Sequence, residues 1–154
     1  MTIIEALEEV NNSLSRKTTF IYVSSMQEAN LLADTLLKAE YPVCFILPVV
    51  VTDTPGTSGV LKSEFPLNAY FLDRDNAATI DFKATEVEKN HIAPMRTLAR
   101  EFLHKLNEHS IIDPESKGIQ ARVLEPEYGL TDAHLFGVFV RAQVPVMEGV
   151  TGCV

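Results

Sequence analysis

The apolar residues in the last third of the chain follow two different periods, and each period predicts a different element. Between residues 95 and 106 they recur at intervals of three and four, which predicts an amphipathic helix with a buried stripe. The stripe consists of Met95, Leu98, Ala99, Phe102, Leu103 and Leu106. In Leu135–Val146 the apolar residues alternate instead, as in a strand with one buried face. The residues expected to face the core there are Phe136, Val138, Val140, Ala142 and Val144.

Two further helices are predicted in the first quarter of the chain. Thr2–Leu14 places apolar residues at helical spacing and its glutamates elsewhere. Ser25 and Glu28 have the spacing of a capping box, so a second helix is expected over Met26–Ala39. This helix should end before Pro42, because helical geometry is disfavoured for the residue that precedes a proline.

The long helix is expected to begin upstream of its buried stripe and to be broken once. Thr85 and Glu88 have capping-box spacing, which places the start near Thr85. Pro94 lies inside the helical pattern, where a proline removes a main-chain hydrogen bond. A break is therefore predicted around Ile92–Ala93.

Four more segments have the composition of strands, with two polar segments between them. The predicted strands are Phe20–Val23, Pro42–Val51, Val60–Arg74 and Ile119–Leu124. Pro42–Val51 is apolar on both alternating faces, which predicts burial on both sides, and Pro48 indicates an edge or a bulge within it. Pro66 is expected to interrupt Val60–Arg74.

The two polar segments are predicted to be loops. Thr52–Gly59 contains a Pro-Gly dipeptide and small polar residues, and it lacks the lysine and the glycine spacing of a phosphate-binding loop. Glu125–His134 connects the last two strands and is longer than a tight hairpin turn. These loops and the tail Met147–Val154 are the segments expected to reach neighbouring molecules.

The order of the elements predicts an α+β fold, with a mainly antiparallel sheet flanked by two or three helices. The 154 residues suit a single domain over 1–154, because a chain of this size buries roughly 70% of its unfolded surface. Its composition, 46% hydrophobic and 22% charged, is that of a folded globular protein.

The net charge of −8, from 21 acidic and 13 basic side chains, changes the expected partners. An acidic surface gains little affinity by neutralising phosphates, so no specific nucleic-acid binding is expected. Arg16–Lys17 is the only adjacent basic pair, and we interpret it as a solvated helix end. Met1–Val10 lacks the basic start of a secretory signal, and no apolar run approaches ~20 residues. A cytosolic protein without a membrane segment is expected.

The histidines and cysteines, whose side chains could act in catalysis or bind a metal, do not form a motif for catalysis, cofactor binding or metal binding. The four histidines are His91, His104, His109 and His134, and the spacing of five between the second and third places them on different faces of a helix. Cys44 lies in an apolar run and is expected to behave as a small buried hydrophobe. Spacing alone leaves open whether it pairs with Cys153.

The organisation of four segments resembles the tail-terminator and tail-completion family of tailed bacteriophages. These segments are Pro42–Leu47 as an early buried strand, Leu67–Asp73 as the next strand, Met95–Leu106 as the helix, and Leu135–Val144 as the last strand after a polar loop. The helix Met26–Ala39 departs from the shortest members of the family. The resemblance covers most of the chain.

The resemblance implies a structural virion protein of the phage neck or tail end, a terminator, a completion protein or a head-tail connector, rather than an enzyme. It implies a homo-oligomeric ring, contacts with other neck or tail proteins, and a place in the virion after assembly in the host cytoplasm. The alternative function is a small cytosolic α+β enzyme or ligand-binding domain, with the polar cluster Asp73–Asn76 and a histidine in a cleft.

Overall fold

The computed structural model describes residues 1–36, 40–55, 61–74, 83–130 and 135–147. Within these ranges the chain forms four α-helical segments, one π-helical turn and six strands. The helices are α1 (Ile3–Asn12), α2 (Met26–Thr35), α3 (Ala84–Val87) and α4 (Ala93–Asn107), and the π turn is Glu88–Ile92. The strands are β1 (Thr19–Tyr22), β2 (Val43–Ile46), β3 (Thr52–Pro55), β4 (Leu61–Arg74), β5 (Gln120–Leu130) and β6 (Leu135–Val146).

The six strands form one sheet in the order β1-β2-β4-β6-β5, and β3 pairs with β4 beyond the end of β2. β1 and β2 are parallel and are connected through α2, whereas all the other described pairings are antiparallel. β4 and β6 pair over twelve residues, from Ser63 opposite Val146 to Arg74 opposite Leu135. The predicted α+β fold with a mainly antiparallel sheet is confirmed.

Helices α1 and α4 cover one face of the sheet and form the larger core. All six residues of the predicted α4 stripe are buried, and so are the five predicted core residues of β6. Phe102 of α4 packs edge-on against Phe71 of β4, with the ring centroids 5.3 Å apart. The periodicity of both segments therefore identified their buried sides correctly.

Helix α2 covers the opposite face over β1, β2 and the adjoining ends of β4 and β6, where Leu72 and Leu135 join its core. Ala29 and Ala33 are buried there with Val43 and Phe45 of β2. β2 is buried on both faces, as predicted for its apolar run, and Pro48 lies exposed just after it.

The expected cap of α2 is only half formed, and the helix ends earlier than predicted. Ser25 accepts the main-chain N–H of Glu28, whereas the Glu28 carboxylate accepts from Ser24 rather than from Ser25. The described helix ends at Thr35, where the chain turns to extended geometry at Leu36. Residues 37–39, which complete the predicted span, lie outside the described residues.

The prediction that Pro66 interrupts β4 is wrong. Asn68 accepts a hydrogen bond from Leu47 N–H at 2.9 Å, so its main chain points toward β2. By the alternation of an antiparallel ladder, the nitrogen of Pro66 points to the same side. There β2 has ended and β3 has not begun, so no strand needs the missing N–H.

The described parts of both polar segments predicted to be loops are strands. Thr52–Pro55, the described part of Thr52–Gly59, pairs as β3, and Glu125–Leu130 of Glu125–His134 belongs to β5. Both strands lie at the edge of the sheet, where side chains reach water and a polar sequence costs little. Residues 56–59 and 131–134 lie outside the described residues.

The long helix begins at Ala84, close to the predicted start near Thr85, and its predicted break is confirmed, but the predicted capping box is not formed. Lys83 precedes α3 without a side-chain cap, and Thr85 lies already inside the first turn. Glu88 is engaged elsewhere, because its carboxylate binds Arg96 at 2.7 Å and Tyr128 at 3.2 Å. The π turn ends at Ile92, and α4 begins there with a proline in its first turn.

The remaining boundaries differ from the predictions by a few residues. Thr2 is the N-cap of α1 and forms a full capping box with Glu5, and the helix ends at Asn12 rather than Leu14. β1 begins and ends one residue earlier than predicted. Such shifts are expected, because side-chain periodicity marks burial rather than the last main-chain hydrogen bond.

Phe102→Asp should unfold the domain, because an unpaired carboxylate would replace a ring buried against Phe71. The loss should be several kcal/mol against a typical total stability of roughly 5–15 kcal/mol. Arg100→Ala, on the exposed side of the same helix, is the control and should be mild. Thermal unfolding followed by circular dichroism measures both, and equal melting temperatures for Phe102→Asp and the parent would contradict the assigned core.

Gly137→Ala should be strongly destabilising. A methyl group there would lie 1.9 Å from the carbonyl oxygen of Phe71 and 2.9 Å from its carbonyl carbon, so β4 and β6 would have to separate. The cost should reach about 3 kcal/mol, the upper end for overpacking. Gly129→Ala meets no atom within 4 Å and should cost about 1–2 kcal/mol for its positive φ. Denaturant unfolding that ranks the two in the opposite order would contradict this close approach.

Candidate functional site

The sheet has one large area that no described element covers. It is the side of β4, β6 and β5 that faces away from α1 and α4, and we name it the open face. The register places its side chains in rows that run from Glu127 near α2 down to Lys62 at the other end. Its members are Lys62, Glu64, Pro66, Asn68, Tyr70, Gln120, Val123, Glu125, Glu127, Phe139, Arg141, Gln143 and Pro145.

An aromatic pair forms the centre of the open face. Tyr70 and Phe139 are register partners on neighbouring strands, and their rings stack with centroids 4.5 Å apart and an interplanar angle of 24°. The guanidinium carbon of Arg141 lies 5.9 Å from the centroid of the Phe139 ring. Val123, opposite Arg141, leaves 39% of its surface exposed. The centre is therefore apolar on its floor and accessible from outside.

Charged side chains surround this centre unevenly. Arg141 forms an ion pair with Glu125, which lies opposite Phe139 on β5. Glu127 has no ion pair or hydrogen bond with any described side chain, and burial followed by the nearby charge of Glu125 raises the pKa of its carboxyl. Burial, and then these two carboxylates, also raise the pKa of the Tyr70 hydroxyl. A positively charged group of a docking molecule would therefore stabilise the Glu127 carboxylate.

A shallow polar groove continues the open face at its far end. It has a volume of about 440 Å³ and is formed by β3, β4, β6 and the turn before β5. Lys62 and Lys117 alternate there with Glu64 and Asp113, so the charges nearly cancel. The groove lies on the surface and resembles the rim of an interface more than a small-molecule pocket.

The edge of β5 is less suited to contact than the face beside it. Two register shifts break the β5–β6 ladder, and Pro126 lies between them. Ala121 adopts a positive φ of 51°. Bulges and prolines of this kind block the addition of another strand. The accessible surface at this end of the sheet is therefore the side chains of the open face.

The described histidines lie in three separate places. His104 is exposed and lies 3.4 Å from Glu108. His109 contacts Glu9 at 3.1 Å through Nε2, and its Nδ1 accepts the N–H of Ile111. His91 stacks on Phe136 with ring centroids 5.4 Å apart. His134 lies outside the described residues, and no three acidic, histidine or cysteine side chains in the described part are grouped to hold a metal ion.

The other residues singled out in the sequence do not converge on a cleft either. Asp73 lies 3.5 Å from Arg16 and accepts the main-chain N–H of Arg74, whereas residues 75 and 76 of the cluster lie outside the described part. Arg16–Lys17 is exposed, as predicted, but it is not a helix end, because α1 ends at Asn12. Cys44 is fully buried, and burial raises the pKa of its thiol, which suits a core residue rather than a nucleophile. Cys153 is also outside the described residues.

Sequence reasoning did not identify the open face. One residue of β6 did indicate it. Phe139 lies on the side of the strand that faces away from the core, where a fully solvated face would carry a polar residue. The partner ring Tyr70 lies far away in the chain, and nothing local indicates that the two meet.

Glu127→Gln should stabilise the protein at neutral pH. The folded state raises the pKa of Glu127, so the charged carboxylate is disfavoured there relative to the unfolded chain. This penalty is absent below the ordinary glutamate pKa of about 4.3 and appears as the pH rises through the higher folded value. The gain of Glu127→Gln should therefore shrink on acidification. Melting temperatures across pH 3–8 measure it, with the exposed Glu8→Gln as control, and a gain that grows toward low pH would contradict the assignment.

The chain was compared with known families and proteins. No protein-family profile matches it, and no curated protein sequence matches it significantly. Among the described residues, no helix is long and apolar enough to cross a membrane.

Proposed function

We propose that the protein is a non-enzymatic structural subunit that assembles with copies of itself into a ring at the neck or tail end of a tailed bacteriophage. The observation that carries the proposal is the open face. An apolar centre with a polar rim is the anatomy of a protein interface, and its stacked aromatic pair is of the residue class enriched at binding hot spots.

A ring needs two different surfaces on each subunit, because head-to-tail contacts join unlike patches. The open face supplies the first at the β5 end of the sheet. Leu31, on the outer side of α2 near the β1 end, is 65% exposed and offers an apolar residue for the second. The strand order places these two surfaces toward opposite edges of one sheet, which suits subunits that join side by side.

The charge of the chain also supports a ring around DNA. With a net charge of −8, the subunit repels phosphates rather than releasing their counterions. A channel that does not adsorb DNA lets it pass. The mainly antiparallel α+β fold agrees with the expectation that came from the family resemblance. In this proposal the protein assembles in the host cytoplasm and remains in the virion.

The described residues do not favour the enzyme or ligand-binding alternative. That function places a histidine in a cleft with the cluster Asp73–Asn76. Within the described residues, Asp73 pairs with Arg16, and His91, His104 and His109 have other partners.

Val123→Asp should abolish self-association without unfolding the protein. The residue lies at the centre of the open face, 39% exposed, where docking of an apolar surface would remove a new carboxylate from water at a large cost. Val50→Asp is the matched control, since Val50 is 64% exposed and lies outside the open face. Light scattering over a concentration series and electron microscopy measure assembly, and circular dichroism checks folding.

Two outcomes would count against the proposal. Equal assembly of Val123→Asp and the parent would remove the open face from the interface. A parent protein that stays monomeric and also fails to bind tail-tube or connector subunits would contradict the ring itself. Portal, capsid and tail-tube genes beside the coding gene would support the virion assignment.

A further inference from the structure

We propose that the outer edge of β1 binds an extended segment of a partner protein as an added strand, with a carboxylate of that segment beside Lys17. The site is at the opposite edge of the sheet from β5 and does not depend on the proposed ring. Strand addition gains its affinity from main-chain hydrogen bonds and its selectivity from alternate side chains.

The main chain of β1 has hydrogen-bonding groups that point away from the sheet. Thr19 N–H donates to Pro42 and Val23 N–H donates to Ile46, both at 3.0 Å. In a parallel ladder the residues that face the neighbour alternate, so Phe20 and Tyr22 point their N–H and C=O groups outward. No described strand lies on that side.

The edge of β1 has none of the protective features found in β5. Its sequence, Thr-Phe-Ile-Tyr, is uncharged, contains no proline and pairs with β2 without a register shift. All four residue types favour strands. With no proline and no bulge, the outward main-chain groups of β1 are free to pair with a further strand. Compared with the β5 edge, the β1 edge is therefore the better suited to strand addition.

This edge is held in place before any partner arrives. The buried amide of Asn11 on α1 donates to the carbonyl of Thr18 at 2.8 Å. Thr19 donates through its hydroxyl to the carbonyl of Glu40 at 2.6 Å. Phe20 packs toward the α1 core and Ile21 toward the α2 core. A fixed edge loses little conformational entropy on binding.

The charge beside β1 indicates what the added strand carries. Lys17 is exposed and has no acidic partner among the described residues, whereas its neighbour Arg16 is paired with Asp73. In a chain of net charge −8, this free cation next to an open edge favours a carboxylate at one end of the bound segment. Tyr22, 39% exposed, lies at the other end and favours an apolar side chain there.

A second copy of β1 fits this edge less well. Antiparallel pairing of two β1 strands would bring Lys17 of one copy toward Ser24 and Ser25 of the other. The nearest carboxylate there, Glu28, already accepts the N–H of Ser24 at 2.7 Å. Pairing Lys17 with Glu28 would compete with these bonds to Ser24, so we assign the site to a different protein that brings its own carboxylate.

The test selects binders from a displayed library of random ten-residue peptides against the full-length protein. Enriched peptides should alternate apolar residues and carry an acidic residue near one end. Tyr22→Pro removes an outward N–H but leaves the ladder to β2 intact, and it should weaken their binding at least tenfold. Tyr22→Ala keeps that N–H and is the matched control, so it should retain most of the affinity. Lys17→Glu should weaken binding more at low salt than at high salt.

A synthetic version of an enriched peptide, N-methylated at alternate residues, gives a second measurement that does not depend on how the variants fold. This peptide cannot donate main-chain N–H groups along one of its own edges, so it should bind at least tenfold more weakly than the unmodified peptide. The absence of enriched peptides would overturn the proposal. Equal binding of both peptides, or equal binding to the parent and a folded Tyr22→Pro, would do the same. Dimerisation of the parent that Tyr22→Pro abolishes would assign the edge to a second copy instead.

Discussion

The twelve-residue antiparallel pairing of β4 with β6 is the constraint on which the rest of the structure depends. It fixes which side chains face α1 and α4 and, by the alternation of the strands, which ones form the open face. A shift of one residue would exchange the two sets and place Arg141 in the core. The close approach of Gly137 to the main chain of Phe71 is compatible with this register alone, since any side chain there would separate the strands.

Sequence periodicity predicted the elements that bury a regular pattern of apolar side chains. The stripe of α4, the even residues of β6 and the double burial of β2 all follow from the need to remove apolar surface from water. β3 and the second half of β5, Glu125–Leu130, were missed for the opposite reason. Their side chains reach solvent and carry no pattern of burial, so only main-chain pairing defines them, and composition does not reveal that pairing.

The candidate surfaces depend on information that a single segment does not contain. Tyr70 and Phe139 meet because two distant strands adopt a particular register. Both rings are only partly buried, and Tyr70 also packs against the edge of the α2 core. The open edge of β1 likewise follows from the strand order. Arg16–Lys17 was visible in the sequence, but only the structure separates the two residues: Asp73 pairs with Arg16, and Lys17 has no acidic partner in the described part of the chain.

The position of β6 in the sheet has a consequence for how the chain folds. β6 lies between β4 and β5, yet it follows every other described strand in the sequence. During synthesis, β4 must wait with its inner edge unpaired until more than sixty further residues have emerged, the last of them those of β6. Contacts between such distant segments close slowly, and unpaired edges promote aggregation in the meantime. We therefore expect the local β1–α2–β2 unit to fold first and the core between the sheet and α1 and α4 to form late.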